Sequence, residues 1–94
     1  MKFYITAEYE ANELFDSPDE INQPNINWLY CKQQASFVHK DKDACEFILT
    51  LFLEETEYFS DMINDMRKFG CTEDFIKVVI QARDFGASRL LLYV

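Results

Sequence analysis

The spacing of apolar and polar residues predicts two helices in the second half of the chain. Over residues 54–69, apolar side chains recur at steps of three and four, as on one face of an amphipathic helix. These are Tyr58, Phe59, Met62, Ile63, Met66 and Phe69. Gly70 then supplies a left-handed C-terminal residue. Thr72 caps a second helix, at about residues 73–85, with two carboxylates in its first turn. Its broad apolar arc predicts deeper burial and comprises Phe75, Ile76, Val78, Val79, Ile80, Ala82 and Phe85.

Strand patterns occupy most of the remaining chain. Residues 2–10 alternate strictly between apolar and polar, which predicts a half-buried strand of an antiparallel sheet or at a sheet edge. The aromatic-rich residues 27–34 predict a second strand, which residues 36–39 extend or follow. Residues 40–43 form a polar turn suited to a hairpin. Residues 89–94 are a strand by composition.

The nearly continuous apolar run at residues 45–53 has two interpretations, because a buried helix can show the same pattern. Its β-rich start and the turn before it favour a central strand. In the alternative, the helix beginning near Glu54 starts earlier, near Lys42. Between residues 11 and 27, both prolines and several turn-forming residues indicate a loop. Ser17 and Pro18 could begin one short helical turn there.

Together these elements predict an α+β fold in a single domain, residues 1–94. The expected sheet is mixed, mainly antiparallel and about four-stranded, with the two helices packed on one face. Two helices connect residues 45–53 to residues 89–94, and a crossover of this length is compatible with parallel strands. Ninety-four residues, 49% of them hydrophobic, are enough for one core but not for two.

The charge is strongly and unevenly negative. Seventeen acidic and nine basic residues give a formal net charge of −8. Residues 1–26 carry six acidic residues and one basic residue, and residues 54–65 carry five acidic and no basic residues. Duplex DNA and anionic membranes would repel such a chain. The favoured partners are therefore basic protein surfaces, including the groove of a nucleic-acid-binding protein, rather than nucleic acid itself.

Few residues offer catalytic or metal-binding chemistry. Cys31, Cys45 and Cys71 are odd in number and lack the close pairing of a zinc site, so we expect reduced, inert thiols and no metal. His39, beside a predicted turn, is expected to be exposed rather than catalytic. We find no phosphate-binding or nucleophile motif and expect neither a cofactor nor enzymatic activity. No apolar run approaches the roughly 18 residues of a membrane span. The charged N-terminus does not fit a secretory signal, so a cytoplasmic protein is expected.

The acidic residues of the first predicted helix are the main candidate site. Glu54, Glu57, Asp61 and Asp65 recur at helical steps, about 4.5–6 Å apart along the axis. They are either a solvated face that keeps the protein soluble or a docking face for Arg and Lys side chains. Three carboxylates of the predicted loop could extend this line of negative charge; they are Asp16, Asp19 and Glu20.

In length, acidity and patches of carboxylates, the chain resembles small anti-restriction and anti-CRISPR proteins of phages and plasmids that mimic DNA. Residues 74–94, a helix, a glycine-containing turn and an apolar strand, are also similar to the end of barstar-type nuclease inhibitors. Both resemblances imply an inhibitor or decoy that binds the basic surface of a nuclease or DNA-binding protein. The alternatives are an immunity protein to a toxin nuclease, or a structural or regulatory module that dimerises through exposed aromatics such as Trp28 and Tyr30.

Overall fold

A four-stranded mixed sheet organises the computed structural model, which describes residues 4–15, 25–40 and 45–94. The fold is α+β, as the sequence predicted. The strands of these residues are β1 (Thr6–Glu10), β2 (Phe37–Lys40), β3 (Cys45–Thr50) and β4 (Arg89–Tyr93). The helices are α1 (Asn12–Phe15), α2 (Ile26–Gln34), α3 (Thr56–Phe69) and α4 (Glu73–Asp84).

The strand order β1-β4-β3-β2 places β3 and β4 in the centre. The prediction of a central strand at the start of residues 45–53 is therefore confirmed, and the alternative of an early helix is wrong. β1 lies at an edge, as its alternation allowed, but it pairs parallel with β4. The sheet is therefore mixed rather than mainly antiparallel.

The length of the two-helix crossover was compatible with parallel strands, but β3 and β4 pair antiparallel. Thr50 at the end of β3 lies opposite Arg89 at the start of β4. The backbone N–H of Leu51 also donates to the carbonyl of Ser88 over 2.9 Å. The two-helix connection therefore begins and finishes at the same end of the sheet, and β4 must run back along β3.

The strand predicted at residues 27–34 is wrong: this segment forms the helix α2. Asn25 caps it, since its side chain accepts a hydrogen bond from the backbone N–H of Asn27 over 2.8 Å. The buried residues Asn27, Tyr30 and Cys31 share one helical face. Burial of that face outweighs the strand preference of the aromatic residues. The strand lies after the helix, in β2, which forms an antiparallel pair with β3.

The two predicted helices and their caps are confirmed with small changes. α3 begins at Thr56 rather than Glu54, and it ends where Gly70 adopts a left-handed φ of 103°. The Thr72 side chain caps α4 by accepting from the backbone N–H of Phe75 over 3.4 Å. Two aromatic residues predicted in the apolar faces are instead exposed: Tyr58 by 62% and Phe85 by 89%.

The core lies between the helices and one face of the sheet. Alternate residues of the central strands turn into it, and the helices contribute the rest; the fully buried side chains include Phe47, Leu49, Leu90, Leu92, Met66, Phe75, Ile76 and Val79. In β3 and β4, the residues that alternate with the buried ones are exposed or half-buried, and so are all residues of β1. Within the described residues, the structure is thus two-layered, with one sheet face open to solvent.

Several predictions concern residues outside the described ranges. The helical turn proposed at Ser17 lies there, as do the candidate residues Asp16, Asp19 and Glu20. Most of the polar turn at residues 40–43 also lies there, although the strands that flank it do form a hairpin pair.

Candidate protein-binding face

The four carboxylates predicted as a docking face are all exposed. Glu57, Asp61 and Asp65 follow each other at four-residue steps along α3 and so share one helical face. Glu54 lies in the turn before the helix, because α3 starts two residues later than predicted. We refer to these four residues as the acidic face.

No described basic side chain neutralises the acidic face. Among the described residues, one ion pair lies within 4 Å. It joins Arg67 Nε to Glu73 Oε1 at 3.5 Å and does not involve the acidic face. Arg83 lies close to the start of α3, but its guanidinium donates to the carbonyls of Leu51 and Phe52 over 3.2 and 3.3 Å. The same guanidinium stacks 4.3 Å above the ring of Phe59. Arg83 thus fixes the turn before α3, and it forms no ion pair with the carboxylates of the acidic face.

A groove of about 480 Å³ lies beside α3, between that helix, the end of α2 and the end of β3. Two members of the acidic face, Asp61 and Asp65, line it. Its other lining residues are mostly aromatic or apolar and comprise Tyr30, Phe52, Tyr58, Phe69, Leu49 and Met62, with Gln34, Ser36 and Thr50 adding polar groups. We call this the aspartate groove.

The hydroxyl of Tyr30 opens into the aspartate groove. The side chain is only 4% exposed, and its ring packs edge-on against Phe69 and Phe75 at 5.5 and 6.2 Å. The hydroxyl makes no hydrogen bond to another described residue. No fully buried polar side-chain atom of these residues lacks a partner, so this oxygen must reach the groove that Tyr30 lines. Burial raises the pKa of Tyr30 to about 12, and the nearby Cys71, Cys31 and Asp65 groups, in decreasing order, add to the rise.

Phe52 forms a wall of the groove in an unusual backbone conformation. Its φ is +48°, in the left-handed region that bulky residues rarely occupy. Its ring lies 5.8 Å from that of Tyr58 at an angle of 60°. The bonds from Arg83 to the carbonyls of this turn hold the conformation. Strained residues of this kind concentrate at functional sites, where the surrounding structure fixes them.

A second cavity, of about 600 Å³, adjoins the first through Phe52 and Thr50, which line both. Glu54 lines this second cavity, together with Tyr4 and Arg89. The Arg89 guanidinium stacks 4.9 Å from the Tyr4 ring. The acidic face is therefore divided: Asp61 and Asp65 meet at the aspartate groove, Glu54 turns to the second cavity, and Glu57 lines neither.

The structure also locates the residues of the alternative interpretations. Tyr30 is buried and Trp28 half-buried against Phe47, so they do not form the expected exposed aromatic pair. His39 is exposed, as expected, and lies in β2. Cys31 and Cys71 are buried thiols that form no disulfide, and burial raises the pKa of Cys71 to about 11. Within the described residues, no cluster of three His, Cys, Asp or Glu side chains could hold a metal ion, and no helix is long and apolar enough to cross a membrane.

No protein-family model, curated protein or solved structure matches this chain.

Proposed function

We propose that this chain binds the basic surface of a nucleic-acid-binding protein in the cytoplasm and acts there as an inhibitor or decoy. The acidic face of α3 would take the place of phosphates. The observation that carries the proposal is the pair Asp61 and Asp65: both are exposed, neither has a described basic partner, and both line a groove with aromatic walls.

The free-energy cost of placing like charges together on α3 favours a docking role over a purely solubilising one. Like charges four residues apart destabilise a helix by about 0.2–0.5 kcal/mol per pair. Glu57, in the first turn of α3, recovers part of this cost from the helix dipole. Asp61 and Asp65 lie too far along the helix to do so. The exposed ring of Tyr58 beside these carboxylates also fits a binding face, because aromatic residues are enriched at protein interfaces.

The charge of the chain favours a partner that normally contacts nucleic acid. Such proteins present Arg and Lys side chains to phosphates. A net charge of −8 would draw these surfaces in and would exclude direct binding to DNA or RNA. The same contact would serve an inhibitor of a host nuclease and an immunity protein against a toxin nuclease.

The proposal can be tested by immobilising the chain and applying a nuclease-treated bacterial lysate. Bound proteins are then eluted with a short DNA duplex. We expect the duplex to release proteins that bind nucleic acid, because they would use one surface for both ligands. The Asp61→Lys, Asp65→Lys variant should retain few of these proteins.

The matched control is the Glu8→Lys, Asp84→Lys variant, which changes the net charge equally at two exposed positions on other elements. It should retain most of the proteins that the wild type retains. If both variants lose them equally, binding depends on overall charge and the docking face is refuted. If DNA releases nothing that the wild type holds, the decoy function is refuted.

A further inference from the structure

We propose that the aspartate groove is a pocket for a single arginine side chain of the partner. This inference rests on the proposed function and refines it, since it assigns the most specific contact to one place on the acidic face. It commits to arginine rather than to any cation, because three features of the groove match a guanidinium group.

The first feature is the pair of carboxylates. Asp61 and Asp65 are one helical turn apart, about 6 Å along the axis of α3. Both line the groove and have no described basic partner within 4 Å. A guanidinium offers five N–H donors in a planar fork and can bridge two carboxylates, which a lysine ammonium does less well.

The second feature is the aromatic wall next to these carboxylates. Tyr58 is 62% exposed, and its ring meets that of Phe52 at the edge of the groove. Guanidinium groups stack on aromatic faces and are more weakly hydrated than ammonium groups. Within the described ranges the same kind of contact joins Arg83 to Phe59 and Arg89 to Tyr4.

The third feature is the Tyr30 hydroxyl, which is independent of the acidic residues. The side chain is 96% buried, yet its oxygen has no described hydrogen-bond partner and opens into the groove. Because this oxygen contacts the groove and has no described partner, an occupant that donates to it would gain a hydrogen bond. A guanidinium bound to Asp65 has N–H groups left over for such a bond.

The test uses the isotopically labelled chain and three small probes, followed by two-dimensional NMR. The probes are N-acetyl-arginine amide, N-acetyl-lysine amide and the uncharged N-acetyl-citrulline amide, which keeps the planar shape of arginine. We expect arginine to give saturable shifts at residues that line the groove, lysine to bind about two- to fivefold more weakly, and citrulline not to saturate.

Variants of the intact chain then locate the binding. Asp65→Asn should weaken arginine binding by about fivefold to tenfold through a lost charged hydrogen bond. Tyr58→Ala should weaken it by about two- to fivefold. The matched control Asp84→Asn removes the same charge at an exposed position of α4 that lies outside the groove and the acidic face, and it should change the affinity by less than about twofold. Unchanged amide spectra away from the substitution show that each variant is folded.

The outcomes separate this proposal from the proposed function. Equal affinity for arginine and lysine, or an equal effect of Asp65→Asn and Asp84→Asn, would overturn the arginine pocket. The acidic face could still dock a partner by general attraction in that case, and the lysate experiment would show this. Shifts confined to residues outside the groove would likewise overturn the pocket.

Discussion

Replacing Asn27 with alanine should destabilise the protein strongly, because this buried side chain joins three separate segments. Its amide donates to the carbonyl of Leu14 over 2.9 Å and to the Thr72 hydroxyl over 3.0 Å. Its carbonyl oxygen accepts from the backbone N–H of Thr72 over 3.0 Å. The side chain is 1% exposed. One residue of α2 therefore fixes the end of α1 and the cap of α4.

The expected loss follows from the groups that alanine would leave without partners. The carbonyl of Leu14 would lose this bond in a buried environment, which costs about 1–3 kcal/mol. The N–H of Thr72 lies closer to solvent and should add about 1 kcal/mol. We therefore expect the free energy of unfolding to fall by about 2–4 kcal/mol, with a decrease in Tm of about 8 °C or more for a domain of this size.

The assay is urea denaturation followed by circular dichroism. The slope of the unfolding free energy against urea concentration is compared between variant and wild type, to confirm that the same transition is measured. Asn12→Ala is the matched control, since the Asn12 amide donates to Glu10 at an exposed site. The control should change stability by less than about 0.5 kcal/mol. If Asn27→Ala costs no more than Asn12→Ala, the bonds of Asn27 do not hold these segments together and the reasoning is refuted.

Three further predictions follow from the site and its surroundings. Replacing both Asp61 and Asp65 with Asn should raise the unfolding free energy by about 0.2–0.5 kcal/mol, because two like charges are removed. A lower unfolding free energy in urea denaturation would mean that these carboxylates stabilise the fold. Arg83→Lys should cost about 1–2 kcal/mol through lost bonds to the turn before α3, and an unchanged thermal midpoint would argue against that role. The stability that Cys71 and Tyr30 contribute should be fully present below about pH 9 and be lost towards pH 12, because their folded pKa values are raised and the folded chain holds these protons more tightly. Urea midpoints of Tyr30→Phe should fall less than those of the wild type above pH 10; equal falls would contradict the raised pKa.

The elements that could be predicted from sequence are those with strong local signals. The amphipathic pattern and the caps Gly70 and Thr72 located α3 and α4. Alternation and apolar runs located β1, β3 and β4. α2 was missed because its aromatic residues favour strands, while the buried face that decides for a helix depends on contacts distant in the chain. The cap at Asn25, with Asn27, Tyr30 and Cys31 at helical steps, was the available signal.

The candidate site was predictable only in part, for the same physical reason. Helical spacing placed Asp61 and Asp65 on one face without knowledge of the fold. The groove beside them also needs Tyr30 from α2 and Phe52 from a turn with positive φ. Nothing in the spacing of the sequence indicates that Arg83, about thirty residues away, holds that turn. The groove therefore depends on packing between segments that are distant in the sequence, which the spacing of the charged residues alone does not show.

The most direct test of the central claim measures where on the protein a basic ligand binds. A fluorescent hexa-arginine peptide is titrated with the wild type, with Asp61→Asn, Asp65→Asn, and with the charge-matched Glu8→Gln, Asp84→Asn variant, at low and physiological salt. We predict that the first variant weakens binding at least about fivefold more than the second, and that this difference persists at physiological salt. Equal weakening by the two variants would contradict the claim that the acidic face of α3 is the binding site.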